Sequence, residues 1–98
     1  MTSDDNSKAA LNLKILLLQR KGGRTSARII EKLLERPYNP NQIAELLGVS
    51  YNTAYYHMQI MKKYGLIEKK TNNYGSLYEP TDALLSQKEL FYKLKELI

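Results

Sequence analysis

Ninety-eight residues, 43% of them hydrophobic, support one core rather than two, and the absence of cysteine excludes disulfides, thiolate metal sites and thiol nucleophiles. Fifteen Lys and Arg against ten Asp and Glu leave a formal charge of +5, which tilts towards a polyanionic partner without establishing one. The longest apolar run, Ile15 to Leu18, falls short of the roughly 20 residues of a membrane span and the about 7–15 of a secretory signal, so a soluble cytoplasmic protein is expected.

Met1 to Ser7 is polar and acidic, lacks apolar periodicity and reads as a disordered leader to a single domain over 8–98. From Lys8 the pattern turns helical, with Leu11, Ile15 and Leu18 on one stripe. It stops at Arg20-Lys21-Gly22-Gly23, where cations and glycines suit a helix C-terminus, so 8–21 is a first flanking helix. Thr25 or Ser26 is the expected cap of a second helix, whose Ala27, Ile30, Leu33 and Leu34 form a stripe ended by Pro37. Asn39-Pro40-Asn41-Gln42 combines an Asn cap, a Pro at the first helical position and a Gln able to reach back, which starts a short third helix with Ile43, Ala44 and Leu47 inside. Gly48 stops it, and Ser50 caps a fourth helix with Ala54, Met58 and Met61 on its core stripe, ended by Gly65.

The period then falls to about two. Leu66 to Thr71 and Ser76 to Glu79 are β-compatible runs joined by Asn72-Asn73-Tyr74-Gly75, a hairpin. Pro80-Thr81-Asp82 opens a second flanking helix over 82–98, with Leu84, Phe91, Leu94 and Ile98 on one face beside Leu90 and Leu97. Ser86-Gln87-Lys88-Glu89 has the form of a capping box, so a break near Ser86 is the alternative to a continuous helix.

The segment Gln42 to Leu66 is the most constrained. Ala44 is small where two helices cross, Gly48 makes the turn, Val49 plugs the core and Ser50 begins the next helix. The fold class is therefore mainly α with a small β-hairpin: a winged helix-turn-helix with a three-helical core plus wing over 25–81, flanked by N- and C-terminal helices. Ile43-Ala44-Glu45-Leu46-Leu47-Gly48-Val49-Ser50, Ala54-Tyr55-Tyr56-His57-Met58 and Met61 to Ile67 resemble the arsenic-repressor (ArsR)-like superfamily, especially its compact archaeal members. The resemblance covers Thr25 to Thr81, with His57 on the family's common His and Gly65-Leu66-Ile67 on its Gly-Leu-Val; Ala54 departs, standing where a bulkier β-branched residue is usual. It implies a DNA-binding regulator whose terminal helices build a two-fold dimer.

Periodicity supplies the face. Opposite the core stripe of the fourth helix lie Asn52, Tyr56, Gln59 and Lys63, with Tyr51, Tyr55 and Lys62 on one flank and Thr53 on the other. Amides can pair with adenine, Thr can meet a thymine methyl and Lys can neutralise phosphate. The expected recognition-helix set is Ser50, Tyr51, Asn52, Thr53, Tyr55, Tyr56, Gln59 and Lys63, with double-stranded DNA as partner. Lys69, Lys70, Thr71, Asn72 and Asn73 form the polar wing. Six of the eight tyrosines fall between Tyr51 and Tyr78, of which Tyr64 and Tyr78 read as core residues with a wet tip. Arg20, Lys21 and Arg24 read first as partners of a helix dipole, with phosphate contact as the alternative.

A homodimer is expected through Leu11, Ile15, Leu18, Leu84, Phe91, Leu94 and Ile98, holding two recognition helices against successive major grooves of a pseudo-palindromic operator and repressing by promoter occlusion. No metal or cofactor is expected, because a lone His57 without cysteines assembles no usual zinc site; nor is an enzyme, because no catalytic motif is recognisable. The signal or effector, if any, is not legible. The rival readings are a winged-helix protein-interaction module of a transcription or repair assembly and a sequence-blind architectural DNA binder.

Overall fold

A computed structural model describes residues 2–73 and 75–98, with side chains from Ser7 onward except that of Tyr74. Its elements are α1 (Thr2–Lys14), a π-helical turn (Ile15–Gln19), α2 (Gly23–Glu35), α3 (Pro40–Leu47), α4 (Tyr51–Lys63), β1 (Ile67–Asn72), β2 (Gly75–Pro80), α5 (Asp82–Leu85) and α6 (Lys88–Lys95). Helices α2 to α4 surround a core built by Ile29, Ile30, Leu33, Ile43, Ala54, Met58 and Met61, and the base of the hairpin closes it with Leu66, Ile67 and Tyr78. The fold is a winged helix-turn-helix, flanked by helices at both ends.

Local chemistry sets the turn between α3 and α4. The Asn39 side chain accepts from the Gln42 backbone N–H at 2.8 Å and the Gln42 side chain accepts from the Asn39 N–H at 2.9 Å, with Pro40 at the first helical position. Gly48 takes the left-handed conformation, φ 71°, that ends α3. The Ser50 hydroxyl then accepts from the Thr53 N–H at 3.0 Å and starts α4. Two long-range caps complete the frame: Arg28 donates to the Leu47 carbonyl at 3.2 Å at the end of α3, and Asn12 donates to the Tyr64 carbonyl at 3.1 Å at the end of α4. Both occupy carbonyls that no intrahelical donor reaches.

The hairpin pairs Ile67 with Pro80 through Asn72 with Gly75, so the chain reverses over two residues instead of the four expected; Tyr74, one of the two, lies outside the described residues. Tyr38 and Tyr78 exchange backbone hydrogen bonds of 3.2 and 2.8 Å, tying the wing to the loop between α2 and α3.

Four expectations need correction. Helix α1 begins at Thr2, inside the stretch read as a disordered leader, because lengthening an existing helix requires no second nucleation; Met1 lies outside the described residues. Helix α2 begins at Gly23 with Gly22 as its cap and no side-chain capping bond, so neither Thr25 nor Ser26 caps it. The chain does break after α5, but by another mechanism than a capping box: Gln87 provides no side-chain cap, and the Ser86 hydroxyl donates to the Ala83 carbonyl at 2.8 Å.

The fourth concerns the dimer set. Leu84, Phe91 and Leu94 are buried in the protomer's own core and Ile98 is half-buried against it, leaving the first three no surface for a partner. The reason is the break after α5, which lets α6 fold back on α1 and the π turn. Leu11 and Leu18 are 56% and 44% exposed and Ile15 half-exposed, while α1 and the π turn bury the alternative stripe Ala9, Leu13 and Leu16.

Candidate nucleic-acid interface

Capping at Ser50 and burial of Ala54, Met58 and Met61 fix which way α4 turns, and the opposite side emerges as an open face. Asn52 and Lys63 are exposed, as are Tyr51, Tyr55 and Tyr56. Tyr51 and Tyr55 stack with ring centroids 5.7 Å apart and planes 18° from parallel. Tyr56, Gln59, Ile60, Lys62 and Lys63 line a concavity along the same helix.

Three expected readers are partly engaged within the protein. Gln59 is half-buried and donates to the Tyr78 hydroxyl at 3.0 Å, joining α4 to the wing, so one amide hydrogen is already used. Ser50 and Thr53 are held by the helix cap, the Ser50 hydroxyl donating to Thr53 Oγ1 at 3.0 Å. All three stay at the edge of the face, with less freedom than Asn52 or Tyr56.

On the wing, Lys69, Lys70, Thr71, Asn72 and Asn73 are exposed. Lys70 forms a 3.3 Å ion pair with Glu79, a pair open enough to water that a phosphate can compete for the cation. The Thr71 and Ser76 hydroxyls bond across the strands at 2.8 Å, and Lys69 projects from the position opposite Tyr78. Tyr78 itself is buried and Tyr64 half-buried, as residues with an apolar ring and a polar tip require.

His57 lies on the flank of α4 rather than on its open face. It faces the Ser26 hydroxyl, 3.5 Å from Nδ1, and packs under Gly22, where a Cβ would stand 2.5 Å from its ring. Burial, then the positive charge of Arg20, pushes its pKa below the usual 6.5. The unfolded chain therefore binds a proton more readily than the folded one, and the His57 contribution to stability is present above about pH 6.5 and lost as pH falls through the lower, folded value. Urea midpoints at pH 7.5 and 5.5 should differ less in His57→Gln than in the parent; an undiminished difference would assign the loss to other groups.

Sequence reasoning missed Asn12 and Arg28 as caps and placed Arg20 no nearer to α4 than its charge allowed. Asn12, a polar residue between two leucines, offered a signal; the other two contacts depend on packing. Among the described residues no group of three or more His, Cys, Asp or Glu is placed to hold a metal ion, and no helix is long and apolar enough to cross a membrane.

A capped helix pair with Ala44 buried, a glycine turn, an open polar helix and a two-stranded wing define a winged helix-turn-helix domain. Residues 24–70 match the family described as helix-turn-helix domain, from the first turn of α2 into β1. No curated protein matches the sequence. Two solved structures from Mycobacterium bovis share the fold. One is the solution structure of the homodimeric winged helix-turn-helix DNA-binding domain, fragment 1–100, of a possible ArsR-family transcriptional regulator, 20% identical, with a TM-score of 0.65 over 98% of this chain and 80% of that one. The other is the crystal structure of a possible transcriptional regulatory protein, fragment 1–100, 21% identical, with a TM-score of 0.66 over 98% of this chain and 92% of that one. The winged helix-turn-helix read from the residues is met in the fold that the chain shares with these two domains.

Proposed function

We propose that the chain is a sequence-specific, double-stranded DNA-binding transcription regulator, without catalytic activity, that represses from the cytoplasm as a homodimer on a pseudo-palindromic operator. The observation that carries this reading is the open face of α4, where Asn52, Tyr56 and Lys63 project beside an exposed polar wing. Asn52 suits bidentate pairing with adenine, the tyrosine hydroxyls and Lys63 suit phosphates, and the wing's Lys69 suits the adjoining backbone. An exposed apolar face would have favoured a protein-binding module.

Dimerisation rests on narrower ground than the sequence implied. Leu11 and Leu18 with half-exposed Ile15 supply apolar surface at α1 and the π turn, and the similar Mycobacterium bovis domain is homodimeric. Two-fold pairing would set half-sites roughly 34–36 Å apart, one turn of duplex.

Fluorescence anisotropy of a labelled duplex from upstream of the protein's own gene, titrated against random duplex at two salt concentrations, tests the reading. Salt-dependent binding that survives competition is the expected result. Asn52→Ala should then lose about 1–3 kcal/mol of discrimination, roughly 5- to 150-fold, while random-duplex binding holds. Equal loss on both duplexes would favour the architectural binder, and no binding at low salt would favour the protein-interaction module.

A further inference from the structure

The π turn delivers a cation to α4 that the proposed function has not used. Arg20 follows the turn, its backbone N–H closing on the Ile15 carbonyl at 3.0 Å. The segment it begins lies directly on α4: Gly22 covers the His57 ring, Ser26 faces His57 Nδ1, and, eight residues before Arg20, Asn12 holds the Tyr64 carbonyl. The Arg20 side chain is exposed, lies against the Tyr64 and Tyr56 hydroxyls, and among the described residues has no carboxylate paired with it.

Its place relative to the open face follows from helical geometry. At about 100° per residue, counting from Ala54 at the core, Lys63 lies near 180°, Gln59 near 140° and Tyr64 near 280°, with Tyr56 near 200°. Gln59 is the residue bonded to the wing. Arg20, beside Tyr56 and Tyr64, therefore stands across the open face from the wing, so the face is bracketed by cations: Lys69 and Lys70 on one side, Arg20 on the other.

We propose that Arg20 is a phosphate-binding residue, gripping the DNA backbone on the side of α4 away from the wing, and that the π turn, packed on α4 through the flanking Gly22 and Asn12, places it for that contact. The inference rests on the DNA-binding reading of α4. A guanidinium suits it because its fork presents several donors, so that it can lie against tyrosine hydroxyls and still offer N–H groups to a phosphate. A contact of this type positions the protein and reads no base, so its removal weakens operator and random duplex alike.

The test is the salt dependence of binding by the full chain. Wild type, Arg20→Gln, Arg20→Lys and the control Lys88→Gln are titrated with operator and random duplex across 50–200 mM salt. Lys88 is exposed at the start of α6, which packs on α1 and the π turn. Arg20→Gln should lower the slope of log K against log salt by about one, weaken both duplexes by a similar factor, and leave their ratio unchanged. Arg20→Lys should restore most of the slope, and Lys88→Gln should keep the parent slope. A merely structural role, disturbing α4 and with it the base contact of Asn52, would change the duplex ratio and not the slope, and would overturn the inference. So would a parent slope in Arg20→Gln, or the same loss in Lys88→Gln. Wild type failing to bind any duplex would instead remove the DNA-binding reading, and this inference with it.

Discussion

Phe91→Ala is expected to cost the folded protomer about 3–5 kcal/mol, a large share of the about 5–15 kcal/mol that holds a domain of this size. Phe91 is fully buried and meets Tyr92 edge to face with ring centroids 5.1 Å apart. Truncation removes the transfer free energy of a whole ring and leaves a cavity that α6, with few turns of its own, closes poorly. Leu97→Ser is the contrast: at 71% exposure it should leave the urea midpoint within about 0.5 kcal/mol. Both are read by urea unfolding at one fixed protein concentration, because the proposed dimerisation would make apparent stability concentration-dependent. A Phe91→Ala chain as stable as the parent but shifted to monomer by light scattering would return Phe91 to the dimer interface.

Gly23→Ala is the second large effect, with a sign opposite to the usual one. Inside a helix this change normally stabilises by about 1 kcal/mol. Here the new Cβ would stand 2.1 Å from the Leu17 carbonyl oxygen and 2.9 Å from its carbon. Both are backbone atoms, so no rotamer relieves the overlap, and the π turn must move away from α2. A loss of about 1–3 kcal/mol or more follows. Gly22→Ala meets a side chain, His57, which can swing aside, but its φ of 82° is left-handed, so about 1–2 kcal/mol is expected. Thermal or urea unfolding ranks the two. Gly23→Ala matching the parent would mean that the π turn and α2 do not touch at Leu17. Because Arg20 lies between them, Gly23→Ala should also weaken DNA binding more than its stability loss alone explains.

Much of this was legible before folding. The helix-turn-helix announces itself because each of its residues answers a local demand: Asn39 and Gln42 cap, Gly48 turns left-handed, Ser50 caps again, and Ala54, Met58 and Met61 repeat at the helical period. The open face of α4 follows from the same period, since whatever lies opposite a buried stripe is exposed. Less legible was the stretch through α1 and the π turn, where Leu11-Ile15-Leu18 and Ala9-Leu13-Leu16 are both good stripes; only the partner surface selects between them. The end of the chain was misjudged for a related reason. A broad apolar face on a terminal helix fits a dimer or a protomer's own core equally well, and the fold-back of α6 chose the core.

The sequence by itself, then, determined the capped helix pair, the buried side of α4 and the hairpin, all of which depend on interactions within a few residues. The tertiary structure alone decided that Arg20 lies by Tyr64, that Gln59 reaches the wing, that Asn12 closes α4 and that Phe91 belongs inside. Those contacts join residues far apart in the chain, and their partners are selected by which packed arrangement fills the core, a choice that no local period or cap encodes.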